Sequence, residues 1–140
     1  MICNILLATD GSASSQRAAE MAAALAIRFR SKVTVLHAYA PISVNAGASE
    51  FPSSVCRTLQ ESQALTVRVA SQLRKLGVAE VETDVIEGPA VNVILGAAEN
   101  QRADMIVMGA RGIGAWQGVP LGSVSMAVTQ RAGCPVLVVK

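Results

Sequence analysis

The chain has 140 residues, of which 51% are apolar, and its 12 basic and 10 acidic residues leave a formal net charge of +2. This size and composition suit one domain, residues 1–140, with a single core. The charges are spread along the chain, and no apolar run reaches the roughly 18 residues of a membrane span. We therefore expect neither nucleic acid nor a membrane as a partner.

The cysteines are Cys3, Cys56 and Cys134, an odd number without a Cys-x-x-Cys pair. This pattern argues against a disulfide framework and against a zinc site. Residues 1–8 also lack the basic segment that begins a signal peptide. We therefore expect a cytoplasmic protein whose thiols are buried and inert.

Short apolar runs alternate along the chain with segments of helical periodicity. That alternation is typical of βαβ units, which build a parallel sheet covered by helices on both faces. The first strand, Ile5–Thr9, has no polar alternation and is therefore expected at the centre of the sheet. A helix follows to about Arg30, with Ser12 or Ser14 as its cap. The side chains expected on its buried stripe are Ala18, Met21, Ala22, Leu25, Ala26 and Phe29.

The second strand is Val33–Tyr39, and residues 40–53, which carry two prolines, are expected to form a loop. The helix after it ends before Gly77, since glycine suits the left-handed position at a helix C-terminus. Its expected buried side chains are Val55, Leu59, Ser62, Thr66, Val69, Leu73 and Leu76. The third strand, Val81–Ile86, alternates apolar and polar residues, which favours an edge position. Gly88-Pro89 then opens a third helix, whose expected buried side chains are Val91, Ile94, Leu95 and Ala98.

A glycine-rich segment, residues 109–122, lies between the fourth strand, Met105–Met108, and a short helix that begins near Ser123. Glycine allows positive φ and lets phosphate groups approach main-chain N–H groups. The start of the helix adds unpaired N–H groups and a positive dipole end. In an open parallel sheet the ligand crevice lies at the carboxyl ends of the strands, where Asp10 and Gly109 are expected. This segment is therefore predicted to bind an anion.

Two other kinds of phosphate-binding loop do not fit. The P-loop pattern is absent, and none of the three lysines lies in the segment. A dinucleotide-binding loop would follow the first strand as Gly-x-Gly-x-x-Gly, but residues 10–15 there read Asp-Gly-Ser-Ala-Ser-Ser. Neither NAD binding nor a P-loop mechanism is expected.

The spacing Gly109-x-x-Gly112, nine residues, then Gly122-Ser123 resembles the nucleotide motif of ATP-binding universal stress proteins. Residues 8–12, 104–109 and 134–139 are also similar to the family pattern, so the resemblance covers nearly the whole chain. It implies an α/β fold with an open five-stranded parallel sheet in the strand order 3-2-1-4-5. It further implies a bound adenine nucleotide (ATP, ADP or AMP), a homodimer and a role in survival under stress.

Carried over by position, the resemblance places Asp10 near the adenine or ribose and Ala38 in the base pocket. Other implied residues, given below, would surround the ribose and the phosphates. The Ser123 hydroxyl would donate hydrogen bonds to the phosphates, and Arg111 would add charge-assisted bonds. The full set of implied nucleotide-binding residues is Thr9, Asp10, Ala38, Met108, Gly109, Arg111, Gly112, Gly122, Ser123 and Val124. Magnesium would arrive with the phosphates, without a dedicated set of protein ligands.

Several residues allow a simpler interpretation. Asp10 is also suited to capping the following helix. His37, the only histidine, lies in an apolar strand and is expected to make a structural hydrogen bond. Trp116 is expected either to pack on its own domain or to serve as a lid or partner contact.

We find no nucleophilic triad in the sequence, and we expect slow hydrolysis of ATP or none. The alternatives are an ATP-hydrolysing or phosphotransfer enzyme using Asp10 and Arg111, and a dimeric partner-binding module without nucleotide.

The last strand, Val136–Val139, is apolar on both faces and follows a turn at Gly133-Cys134-Pro135. With no later strand to cover it, it lies at a sheet edge, and an apolar edge aggregates unless something pairs with it. A twofold partner that pairs the same strand solves the problem. We therefore predict a homodimer formed through residues 134–140.

Overall fold

The computed structural model describes residues 1–40, 59–112 and 121–140. Its strands are β1 (Asn4–Ala8), β2 (Lys32–Tyr39), β3 (Val81–Glu87), β4 (Met105–Gly109) and β5 (Val136–Val139). Its helices are α1 (Ala13–Phe29), α2 (Leu59–Leu76), α3 (Ala90–Asn100) and α4 (Ser123–Arg131). The five strands form one parallel sheet in the order β3-β2-β1-β4-β5, which confirms the expected α/β fold. Outside the described residues lie positions 41–53 of the loop predicted over 40–53, the predicted start of α2, Cys56 and Trp116.

Strand β1 is the centre of the sheet, as its unbroken apolar sequence predicts. Leu7 pairs with Val35 of β2 on one side and with Val107 of β4 on the other, and is fully buried. Successive side chains point to opposite faces of a strand. Leu7 therefore joins the core beneath α1 and α2, while Leu6 joins the core beneath α3 and α4. Strands β3 and β5 are the edges, and the edge position predicted for β3 is confirmed.

The buried face of α1 consists of small side chains. Its buried apolar residues are Ala18, Ala19, Ala22, Ala23 and Ala26. Met21 and Phe29, which the periodicity placed on the buried stripe, are instead 43% and 45% exposed. Helix α1 has apolar residues on more than one side, and only the alanine side lets its backbone approach the sheet closely.

In helix α2 too, the observed burial differs from the predicted burial, here at the two ends of the helix. Ser62, Thr66, Val69 and Leu73 are buried as expected, but the terminal residues Leu59 and Leu76 are 45% and 49% exposed. Terminal residues of a helix extend past the strands it covers. Gly77 follows α2 with φ of +112°, which confirms its expected left-handed conformation.

The amino ends of β1 and β4 are joined by a carboxylate. Asp104 Oδ2 accepts the N–H groups of Asn4 (2.9 Å) and Cys3 (2.8 Å), and these bonds lower the pKa of Asp104.

Cys3 is exposed, contrary to the expectation of a buried thiol, and Cys134 is partly buried. Burial raises the pKa of the Cys134 thiol. Among residues 1–40, 59–112 and 121–140, no helix has the length and apolar character needed to cross a membrane.

The alanine face of α1 predicts a sharp difference between neighbouring positions. Ala22→Leu should lower the free energy of unfolding by about 1–3 kcal/mol, because Ala22 is fully buried against the sheet and a larger side chain forces the helix away. Met21→Leu, at the exposed neighbour, should change it by less than about 0.5 kcal/mol. Urea denaturation of both variants measures this difference, and equal effects would contradict the close packing of α1.

Candidate functional site

Three backbone segments meet at the carboxyl edge of the sheet. Strands β1 and β4 are neighbours, and Asp10 and Arg111 follow them directly. A Cβ atom placed on Gly112 would lie 2.9 Å from Asp10 Oδ2, so the two loops touch. The third segment is the start of α4, where the Gly122 N–H donates to the Ala110 carbonyl at 2.6 Å. The structure thus brings Asp10, Arg111, Gly112 and Gly122 together.

Two apolar residues of the predicted site lie on the adjoining face of the sheet. Ala38 and Met108 both pack on the core beneath α3 and α4, on the two strands that flank β1. Met108 is buried and Ala38 is partly exposed. Of the two, Ala38 is the residue that leaves apolar surface accessible beside the polar loops.

Ala110 is the junction of the site with α4 and β5. Its N–H donates to the Val139 carbonyl (2.7 Å), which continues the β4–β5 ladder into the loop. Its carbonyl accepts both the Gly122 N–H and the buried Ser125 hydroxyl (2.7 Å). Neither Ala110 nor Ser125 was singled out from the sequence. These contacts join residues that are distant along the chain and leave no local pattern.

The first turn of α1 holds the Arg111 peptide group. Ser14 Oγ donates to the Arg111 carbonyl (2.6 Å), and the Arg111 N–H lies 3.3 Å from the same Oγ. Ser12 Oγ lies 3.3 Å from the same carbonyl. The sequence signalled Ser12 and Ser14 as cap candidates only, and Ser12 is the observed cap, accepting the Ser15 N–H at 3.2 Å. Ser14 instead fixes the loop after β4.

Gly109 is required for packing. A Cβ atom there would lie 2.7 Å from Ser15 N and 2.8 Å from the Ser14 carbonyl carbon, and would also contact Ser14 Oγ. Gly109, Gly112 and Gly122 do not use the positive φ that glycine allows, and Gly122 has φ of −72°. What they provide is space. Among the described glycines near this edge, Gly11 has a left-handed conformation, with φ of +83°, and turns the chain after Asp10.

The N-termini of α1 and α4 differ in whether a side chain caps their first N–H groups. The Ser12 side chain caps α1, whereas α4 begins after Gly122 and has no side-chain cap. The first N–H groups of a helix lack intrahelical partners, so Ser123 and Val124 offer donors at the positive end of α4. Ser123 is exposed. Of these two helices, α4 is therefore the one whose start favours an anion.

Asp10 does not occupy the cap position of α1. Its Oδ1 accepts the Ser12 N–H (2.9 Å) in an Asx turn, while Oδ2 lies beside Gly112. Thr9, just before it, is buried, and its hydroxyl lies 3.3 Å from Ser15 Oγ. His37 makes the expected structural bond, with Nδ1 2.7 Å from the Thr9 carbonyl oxygen.

Comparisons with known proteins give one consistent result. A model described as the universal stress protein family matches residues 1–140. "Universal stress protein in QAH/OAS sulfhydrylase 3'region" from Thermus aquaticus is 37% identical over 140 residues, covering 100% of both chains. A universal stress protein solved in complex with cAMP is 25% identical, with a TM-score of 0.78 over 99% of this chain and 97% of that one. Universal stress protein UspA from Lactobacillus plantarum shares the fold, with a TM-score of 0.84, 23% identity, and coverage of 99% of this chain and 98% of that one.

The packing of Gly109 gives a matched pair of glycine substitutions. Gly109→Ala should lower the free energy of unfolding by about 1–3 kcal/mol, because the added methyl group meets backbone atoms of α1. Gly96→Ala, where an added Cβ meets nothing within 4 Å inside α3, should raise it by about 0.5–1 kcal/mol. Thermal and urea denaturation test both signs. A Gly109→Ala protein as stable as the wild type would refute the packing role.

Proposed function

This chain belongs to the universal stress protein family, and from that premise we propose that it binds an adenine nucleotide and has a regulatory or sensory role in survival under stress. One observation carries the proposal. The carboxylate of Asp10 and the uncapped start of α4 lie at the same carboxyl edge of the sheet, with Gly112 between the loops. This edge of the sheet is negative at Asp10 and positive at the start of α4. It therefore suits the two polar parts of a nucleotide, the ribose and the phosphates.

The charges give the bound nucleotide a direction. Phosphate oxygens are attracted to the N–H groups of Ser123 and Val124 and to the Arg111 guanidinium, and are repelled by Asp10. A carboxylate accepts hydrogen bonds from hydroxyl groups, so Asp10 is suited to the ribose. The partly exposed apolar side chain of Ala38 is suited to the base, whereas Met108 is buried in the core. Thr9 and Gly109 contribute by holding the loops in place.

The ligand class is adenine nucleotide, and ATP is the first member to test. The relative solved with cAMP supports an adenine nucleotide with an anionic phosphate. Mg²⁺ is proposed to arrive bound to the phosphates of ATP or ADP. In the described ranges, no group of three or more His, Cys, Asp or Glu side chains is arranged to hold a metal ion.

Binding with slow or no hydrolysis is the activity proposed. His37 is buried and bonded to the Thr9 carbonyl, and Asp10 uses one oxygen in its Asx turn. Neither group is arranged as a general base. Multiple turnovers of ATP that disappear in Asp10→Ala would instead identify an enzyme. A cytoplasmic setting is proposed as well, since Cys3 and Cys134 are free thiols.

Charge at the start of α4 gives a selective test of nucleotide binding. Ser123→Asp should weaken ATP binding at least about tenfold, because the carboxylate repels phosphate, and should preserve stability, because an acid suits a helix N-terminus. Ser123→Asn, of the same shape but neutral, should bind within about threefold of wild type. Calorimetric titration of nucleotide-stripped protein measures both affinities.

The wild-type control is release of nucleotide on denaturation of the purified protein, followed by titration of ATP into stripped protein. A wild-type protein that carries no nucleotide and does not bind ATP at millimolar concentration would overturn the proposed function. It would favour a partner-binding module instead. Equal ATP affinities of the Asp and Asn variants would refute the proposal that the phosphates bind at the start of α4.

A homodimer through β5 is also proposed. The four apolar residues Val136–Val139 are only partly buried at the edge of the sheet. The Pro135 carbonyl accepts the N–H of Ile106 in β4 at 2.9 Å, and the Val139 carbonyl accepts the N–H of Ala110 just after β4 at 2.7 Å. Main-chain groups of alternate residues point to opposite sides of a strand, so those of Val136 and Val138 point away from the sheet. They are available to the same strand of a second copy.

Val138→Pro tests this pairing. It removes one outward N–H without breaking the β4–β5 ladder, so it should convert the dimer to a monomer while the fold persists. Val138→Thr keeps the N–H and should remain dimeric. Light scattering after size exclusion at micromolar concentration measures the mass. A wild-type protein that is monomeric and fully soluble at that concentration would refute the dimer.

A further inference from the structure

His37 is the buried histidine of β2, and its two ring nitrogens are treated differently. The side chain is 6% exposed. Nδ1 lies 2.7 Å from the Thr9 carbonyl oxygen. Nε2 has no hydrogen-bond partner in the described part of the chain. A carbonyl oxygen can only accept, so the proton of the neutral ring is on Nδ1 and Nε2 carries a lone pair.

The unpartnered Nε2 makes histidine a costly choice for a purely structural contact. A buried acceptor left without a donor is destabilising, because the hydrogen bond that it would make to water in the unfolded chain is lost. Leucine would fill an apolar position without that cost. The contribution specific to His37 is therefore the single bond from Nδ1–H, and the place where that bond ends indicates its role.

That bond ends on the residue before Asp10. The Thr9 N–H donates to the Leu36 carbonyl (2.9 Å), and the Thr9 hydroxyl lies 3.3 Å from Ser15 Oγ. His37 fixes the remaining polar group of Thr9, its carbonyl. Asp10 then lies between an immobilised Thr9 and the left-handed turn at Gly11, which leaves its carboxylate little freedom.

We propose that His37 is a positioning residue for the nucleotide site: by holding the Thr9 carbonyl, it sets the direction in which the Asp10 carboxylate enters the crevice beside Gly112. The inference rests on the proposed function, because Asp10 is the group suited to the ribose. His37 itself makes no contact with the ligand in this proposal. Its effect reaches the nucleotide only through the Thr9–Asp10 peptide group.

Asparagine and leucine form the matched pair that tests this. Their side chains have the same branching, and the asparagine amide places an N–H donor as many bonds from Cα as Nδ1 of histidine. His37→Asn should bind ATP within about threefold of wild type, because it restores the bond to Thr9. His37→Leu should bind at least about tenfold more weakly, because the bond is lost. Urea denaturation of both variants confirms that each is folded under the titration conditions.

Nuclear magnetic resonance of the wild-type imidazole supplies a readout that needs no variant. The chain contains one histidine, so the ring gives a single set of signals. The nitrogen shifts should show the proton on Nδ1 in the free protein. Saturating ATP should move the Nδ1 signal, as the Thr9–Asp10 peptide responds to the ligand.

The outcomes separate this inference from the proposed function. If wild-type protein does not bind ATP, the proposed function fails and this inference fails with it. If wild-type protein binds, the inference alone is overturned by any of three results: a proton on Nε2, an imidazole signal that ATP leaves unchanged, or equal affinities of the Asn and Leu variants.

Discussion

The close approach of α1 to the carboxyl end of β4 is the constraint on which the site depends. Gly109 has no side chain, and the buried face of α1 carries only small ones, so backbone meets backbone at Ser14 and Ser15. At that distance Ser14 reaches the Arg111 peptide group and holds the loop that leaves β4. A larger residue at Gly109 would separate these elements, and the glycine loop would lose its anchor on α1.

The same contact decides which helix is available to an anion. At the start of α1, Ser12 caps the Ser15 N–H, and Gly109 packs against Ser14 and Ser15. Helix α4 starts with a glycine and leaves its first N–H groups uncapped. Two helices begin at neighbouring strand ends, and of these two only α1 has a side-chain cap. Asp10 lies beside α1, the capped helix, and gives this edge of the sheet its negative end. In the proposed function, this asymmetry orients the nucleotide.

Much of the fold was predictable from the sequence because its signals are local. Strands β1 and β5 are continuous apolar runs, Gly77 ends α2 at the expected position, and the strand order followed from the resemblance to the family. The buried side of α1 was not predictable in the same way, since alanine and large apolar residues both recur at helical spacing. Distance to the sheet decides between them, and that distance depends on Gly109. The contacts of Ser14 and Ser125 with the loop were not predicted, because their partners lie 97 and 15 residues away in sequence and are backbone carbonyls, which every residue has.

The site also depends on the edge strand. Ala110 bonds to Val139 through its N–H and to the start of α4 through its carbonyl, so β5 and the glycine loop share one peptide segment. Arg17 of α1 reaches the Lys140 carbonyl at 2.7 Å, which ties the end of the chain to the helix that clamps Arg111. A disturbance of the inward-facing main chain of β5 would therefore reach Ala110 and the donors of α4. Only the outward-facing groups of β5 are separate from the site, and these are the groups that a second copy of the chain would use.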